Sequence, residues 1–288
     1  MWFTLSLFCA FFTATTAALT KILIKDNDEF LIGWLRYLIC LPLFAILFVI
    51  APKPRLDFAF WKNVFILLPL ELGAFLLFLK SIKISPLSLT FPFLGLTPVF
   101  SILAAYLFLG ERVNHQGVAG IMLIAIGAYL LNADLIKKGV LEPIKKVYTE
   151  KGSMLMIMVA FIYSITSILG KKGVLLSSPT LFPLVYYPIF LVVYTIFIFF
   201  WLKRNNLNLK LNKFYFLILI LSSLSFVLGI MFHFKAISMI EVPYMISVKR
   251  MSLLFSVLYG AIIFKEKNIR YRLIGASVMV AGVLVLVM

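Results

Sequence analysis

The residue that stands out chemically in this chain is Glu71, in the stretch "LPLELGAF". Its nearest charged neighbours, Lys62 and Lys80, are nine residues away on either side. At about 1.5 Å per helical residue, that leaves the carboxylate roughly 13 Å from either end of an apolar run. A charge at such depth costs at least about 2.5 kcal/mol, so it is expected to face a protein interior or a wet cavity. A carboxylate there could bind a substrate amine or carry a proton. It could equally form a structural ion pair between helices. Its basic counterparts are Lys249 and Arg250 in "SVKRMSLLFSVLYG", about eight residues into another apolar run. At helical spacing Lys249 shares a face with Ser252 and Ser256, whereas Arg250 points roughly 100° away. Lys249 is therefore the expected cavity residue and partner of Glu71, with snorkelling of both bases to headgroups as the alternative.

Hydroxyls form stripes on other apolar runs. Thr13, Thr16 and Thr20 fall at i, i+3, i+7, and Thr97 and Ser101 at i, i+4. Ser222, Ser225, Gly229 and His233 form a further stripe, with His233 close enough to a run's end to be expected as an interfacial hydrogen-bonder. Small hydroxyls also serve simply to pack helices closely, so the set carries more weight than any one member. Among the tyrosines, Tyr163 is mid-run with Ser167 and Gly170 on its face, while Tyr37, Tyr186, Tyr187 and Tyr244 lie nearer run ends, where aromatic belts form.

The elements that must hold these residues are membrane spans. Of 288 residues, 63% are hydrophobic and 13% charged, and the mean hydropathy is +1.09, far from the norm of soluble domains. Breaking the chain at charged or Pro/Gly-rich connections predicts ten spans, near 3–24, 30–50, 63–80, 86–109, 115–132, 153–171, 180–202, 213–236, 242–264 and 271–288. The first is read as a retained span because it lacks a basic leader region and is longer than a signal peptide's apolar stretch. Most of the basic residues behind the net charge of +16 lie in or beside the connections, as in membrane proteins, which excludes nucleic acid as the expected partner. Cys9 and Cys40 lie inside spans without metal-ligand spacing and are expected to pack.

A shift of 155 residues lays 80–131 over 235–286 without a gap. It aligns Lys80 with Lys235, Phe100 with Phe255, Ser101 with Ser256, Glu111 with Glu266, Gly120 with Gly275 and Gly127 with Gly282. Thr97 falls on Ser252, so hydroxyls recur at equivalent positions. The chain therefore divides into a first repeat over 1–132, a connection over 133–152, and a second repeat over 153–288. Five spans per half put the second half upside down relative to the first, the inverted-repeat arrangement of many transporters, with a site near the midplane. Pro69, Pro92, Pro98, Pro183 and Pro188 interrupt spans and mark candidate hinges.

The stretch "LFLGERVNHQGVAGIMLIAIGAYLL", Leu107 to Leu131, resembles the fourth-to-fifth span region of EamA-type members of the drug/metabolite transporter superfamily. "AIIFKEKNIRYRLIGASVMVAGVLVL", Ala261 to Leu286, resembles its second copy, departing from it where Lys265 replaces the Gly before the Glu. "GWLRYL", with Arg36, is similar to the second span, and the ninth span carries Lys249 where some members have Arg. The resemblance implies ten transmembrane helices around a central cavity, carrier-type movement of small metabolites, usually outward, and structural roles for Arg36, Glu111, Gly120, Gly127, Glu266, Gly275 and Gly282. It also implies cytoplasmic termini. The tally of basic residues, sixteen in odd connections against seven in even ones, implies the reverse.

The expected protein is an all-α integral membrane carrier, not an enzyme, working by alternating access in a cell membrane. Its cavity is expected to include Glu71, Lys249, Thr13, Thr16, Thr97, Ser101, Tyr163, Ser252 and Ser256. Its cargo is a small amino-acid-like or cationic metabolite, protons are a candidate coupling ion, and no metal or cofactor is expected. The alternatives are a lipid or lipid-linked-sugar flippase on the same fold and a membrane-embedded lipid-modifying enzyme. The scattered carboxylates and the lack of a phosphate-binding glycine loop argue against the enzyme.

Overall fold

The computed structural model describes residues 1–85, 90–131, 150–205, 209–263 and 269–288. Among them all regular structure is helical. Helices α1 (Trp2–Ile24), α2 (Glu29–Ile50) and α3 (Phe58–Ile84) are followed by a 3-10 segment, Phe91–Leu96, that runs into α4 (Thr97–Leu109). Then come α5 (His115–Leu130), α6 (Lys151–Leu175), α7 (Leu181–Arg204) and α8 (Lys213–Ile237). The chain closes with α9 (Val242–Lys249), α10 (Ser252–Ile262) and α11 (Ile269–Val287). Side-chain oxygens of Asp28, Asp57, Asn114 and Asn212 cap the starts of α2, α3, α5 and α8, satisfying backbone donors that would otherwise be orphaned at the helix ends. Gly110, at φ 69°, ends α4 in the left-handed conformation that glycine adopts without strain.

Eight helical stretches are long and apolar enough to cross a membrane, two of them being 91–109 and 242–262; 115–130 and 274–287 are shorter apolar helices. Large apolar side chains face outward along their length, including Phe58, Phe65, Phe200, Phe214 and Ile262. An exposed apolar surface of that extent belongs in lipid.

Two expected spans are interrupted. In 91–109 the first turns are 3-10, because Pro98 has no N–H to give the carbonyl of Leu94, which instead accepts from Thr97 N. In 242–262 the α-helix ends at Lys249. Met251 N turns to Val248 O and Leu253 N to Arg250 O, a tightening by one residue, before α10 starts at Ser252. These two restarts, Thr97 and Ser252, are 155 residues apart, the shift that aligns the sequence halves.

The halves interlock rather than sitting side by side. The most extensive packing is between α5 and α11, α1 and α8, and α3 and α6, each pair joining the first half to the second. At the α5–α11 crossing, a Cβ on Gly120 would lie 2.8 Å from Gly282 O and one on Gly127 2.7 Å from Gly275 O. In return, Cβ atoms on Gly275 and Gly282 would meet Gly127 O at 2.5 Å and Gly120 O at 2.8 Å. The crossed pairing makes the two helices antiparallel, and the absence of side chains lets their backbones touch. A second correspondence links the lysines near the ends of α1 and α6. Lys21 donates to Ser85 O at 2.8 Å and Lys171 to Ile240 O at 2.8 Å, and these acceptors again lie 155 residues apart.

Gly127→Leu is expected to cost roughly 1–3 kcal/mol of stability through overpacking against a backbone that cannot yield, read as a lower thermal unfolding midpoint in detergent. Gly73→Ala is the control: a Cβ there meets nothing within 4 Å, and its midpoint is expected to be no lower than that of the parent.

Candidate functional site

An internal cavity of about 180 Å³ lies between the halves and is walled by side chains from both. From the first half it takes Thr13 and Thr16 on α1, Arg36 and Tyr37 on α2, Glu71 on α3, and Phe91 of the 3-10 segment. The second half supplies Tyr163, Thr166 and Ser167 on α6, Tyr186 and Tyr187 on α7, His233 on α8, and Lys249 with Arg250 at the end of α9. Glu71 is thirteen residues from each end of α3, roughly 20 Å along the axis, so the cavity sits at mid-depth.

Charge is unevenly distributed in this space. Glu71 faces Thr166 and feels the charge of Lys249, but among the described residues the ion pairs within 4 Å are Lys80–Glu29 and Lys171–Glu111. The direct Glu71–Lys249 pair expected from sequence is thus not made; both residues face the same cavity without touching. Arg36 is held by other means. Its Nη1 donates to Thr20 Oγ1 at 3.1 Å, and its guanidinium lies 4.7 Å from the Phe226 ring centroid, 5.1 Å from Phe75 and 5.4 Å from Tyr37. The negative ring faces offset part of the cost of burying the cation.

The expected cavity residues divide into two groups. Glu71, Lys249, Thr13, Thr16 and Tyr163 line it. Thr97, Ser101, Ser252 and Ser256 are buried elsewhere: Ser101 donates to Pro98 O, and α10, which carries the two serines, packs mainly on α1. The physical reason is the helix break. A continuous helix would put Lys249, Ser252 and Ser256 on one face, but tightening at 250–251 rotates α10 relative to α9. Arg250 joins Lys249 at the cavity wall, and Ser252 and Ser256 do not.

Arg36, expected to be structural, belongs to the cavity wall, as does His233, expected at the interface. Tyr37, Tyr186 and Tyr187 also line the cavity, whereas Tyr244 bonds Asn114 Oδ1 at 3.1 Å. Thr166 had no signal beyond sharing a span with Tyr163. Its offset of roughly 100° from Ser167 widens the polar face of α6.

Glu111 has the interhelical role implied for it. Its Oε1 accepts from Lys171 Nζ and its Oε2 from Val242 N at 2.8 Å, so one carboxylate ties the end of α6 to the start of α9, where a helix N-terminus favours negative charge. Both partners are about one-tenth exposed. Lys171 directly follows Gly170 of the cavity wall. Glu266, the matching residue of the second half, lies outside the described residues.

The model of the EamA-like transporter family matches residues 1–133 and again 150–288. The chain belongs to this family. It is accordingly a member of the drug/metabolite transporter superfamily and a multi-pass integral membrane protein. No curated protein sequence matches it. A solved crystal structure shares its fold at a TM-score of 0.71, with 16% identity over 98% of this chain and 95% of that one.

The wall assignment is open to a chemical test. With Cys9 and Cys40 replaced, cysteines introduced at Thr16 and Tyr163 are expected to react with a small water-soluble thiol reagent, and cysteines at Ser101 and Ser256 to stay unlabelled. Equal labelling of both sets, read by mass shift, would remove the distinction.

Proposed function

We propose that this EamA-family protein is a secondary carrier that moves a small organic metabolite by alternating access. Its ten expected spans act as two inverted five-span repeats, and export is the direction carried over from the resemblance. The observation that carries the reading is the mid-depth cavity between the halves. Four charged side chains face it, and none of them has an ion-pair partner within 4 Å among the described residues. An unpaired charge in a bilayer core is expensive and persists where a ligand or ion completes it. A packing role alone would favour paired or apolar residues.

The broken spans supply the means of movement. Half-helices that restart at Thr97 and Ser252 can pivot without losing the hydrogen bonds of a full helix, and both stand next to wall residues, Leu94 and Arg250. The Lys171–Glu111–Val242 contact closes one end of the assembly and would have to open in the opposite state. A cavity of about 180 Å³ is below the roughly 300–1,000 Å³ of drug-sized sites and suits a small metabolite better than a lipid.

Glu71 is the candidate for proton coupling, because it is the carboxylate in a cavity that otherwise holds Arg36, Lys249, Arg250 and His233. In proteoliposomes, flux of a transported substrate is expected to respond to an imposed pH gradient in the parent protein. In Glu71→Gln that response is expected to vanish, with the protein still monodisperse. A pH response that survives in the variant would leave Glu71 out of the coupling, and no flux across a broad metabolite panel would sink the carrier reading.

A further inference from the structure

Charge bookkeeping within the cavity identifies the kind of cargo it prefers. Three basic side chains, Arg36, Lys249 and Arg250, share the cavity wall with one carboxylic side chain, Glu71. A cationic ligand would add to that excess, whereas an anionic one would reduce it, in a setting where low dielectric magnifies the difference.

The unmade hydrogen bonds point the same way. Buried side-chain atoms without a partner on wall residues are Arg36 Nε, Arg250 Nε and Tyr186 Oη, together with Thr16 Oγ1 and His233 Nδ1, which can donate or accept. Guanidinium N–H groups can only donate, and a phenol donates readily. Three of these five atoms are therefore short of an acceptor. Unpaired donors are costly, and an oxyanion makes strong charge-assisted bonds with basic side chains. Aromatic rings, among them Phe12, Phe75, Phe226 and Phe234, make up much of the rest of the wall, which suits an apolar body.

We propose that the cavity recognises a small organic anion. Its carboxylate or phosphate is held by Lys249 and Arg250 at the break in the ninth span, and its apolar body lies among the aromatic rings. Arg36, fixed over its own three rings, adds to the positive field, and Glu71 opposes it. This replaces the cationic cargo expected from the lone carboxylate with its opposite. It rests on reading the cavity as the carrier's substrate site, and the test separates the two.

Four probes share one phenyl body: phenylacetate, phenyl phosphate, neutral phenylacetamide and cationic phenethylamine. Binding to the purified full chain in nanodiscs is measured by calorimetry and thermal shift. One or both anions are expected to bind at least about tenfold more tightly than the neutral and cationic probes, and the comparison of the two anions tells carboxylate from phosphate. Lys249→Gln and Arg250→Gln are each expected to weaken the anion about tenfold or more. Lys249→Arg should recover most of the loss, and Glu71→Gln should strengthen binding by removing a repulsion.

Tighter binding of phenethylamine than of either anion, equal binding of all four probes, or no anion binding would each overturn the proposal. So would anion affinity that is unmoved in monodisperse Lys249 and Arg250 variants. Counterflow of the same probes is read separately. Amine flux without anion binding keeps the carrier and discards the anion, whereas anion binding without flux keeps the anion subsite and discards the carrier.

Discussion

A charged side chain within a hydrocarbon layer must find a partner, water or a ligand, and this constraint organises the interior of the protein. Arg36, Glu71, Lys249 and Arg250 come from three different spans and both halves of the chain, and they all face the same small cavity. Their burial costs could have been offset pairwise by ion pairs. They are met instead by aromatic ring faces around Arg36, by hydroxyls such as Thr166 near Glu71, and by shared space. The polar interior is thus not fully paired among the described residues, which sets it apart from a packed apolar core.

The same site could not exist without the way the halves interlock. Each of the three most extensive helix contacts joins one half to the other, so neither repeat could bury its own faces alone. The glycine pairs Gly120–Gly282 and Gly127–Gly275 bring two antiparallel helices into backbone contact. The interruptions at Leu96–Thr97 and Met251–Ser252 shorten the helices next to the cavity. Tight packing at one place and broken helices at another thus occur in the same interlocked assembly.

Much of this was legible in one dimension, for identifiable reasons. Span positions follow from runs of apolar residues, since every backbone polar group in a bilayer must be satisfied within its own helix. The 155-residue shift matched glycines that meet across the structure, because close backbone approach tolerates no other residue. Glu71, Lys249, Thr13, Thr16 and Tyr163 reached the cavity as their depth and spacing implied. Ser252 and Ser256 were assigned the face of Lys249 by extending ideal helical periodicity through residues 250–251, where the helix tightens. The stretch 247–252 has neither proline nor glycine to betray the break.

By itself, then, the sequence determined that the chain crosses the membrane repeatedly, that its two halves are related, and which few charges lie too deep to be anchors. These depend on composition and local spacing, which the bilayer's thickness and dryness translate directly into structure. Tertiary structure alone decided that Arg36, Arg250 and His233 join the cavity, that Glu71 and Lys249 share it without an ion pair, and that basic side chains outnumber the acidic one there. Those outcomes depend on how far helices rotate and tighten when packed against partners a hundred or more residues away, and no local pattern encodes that rotation.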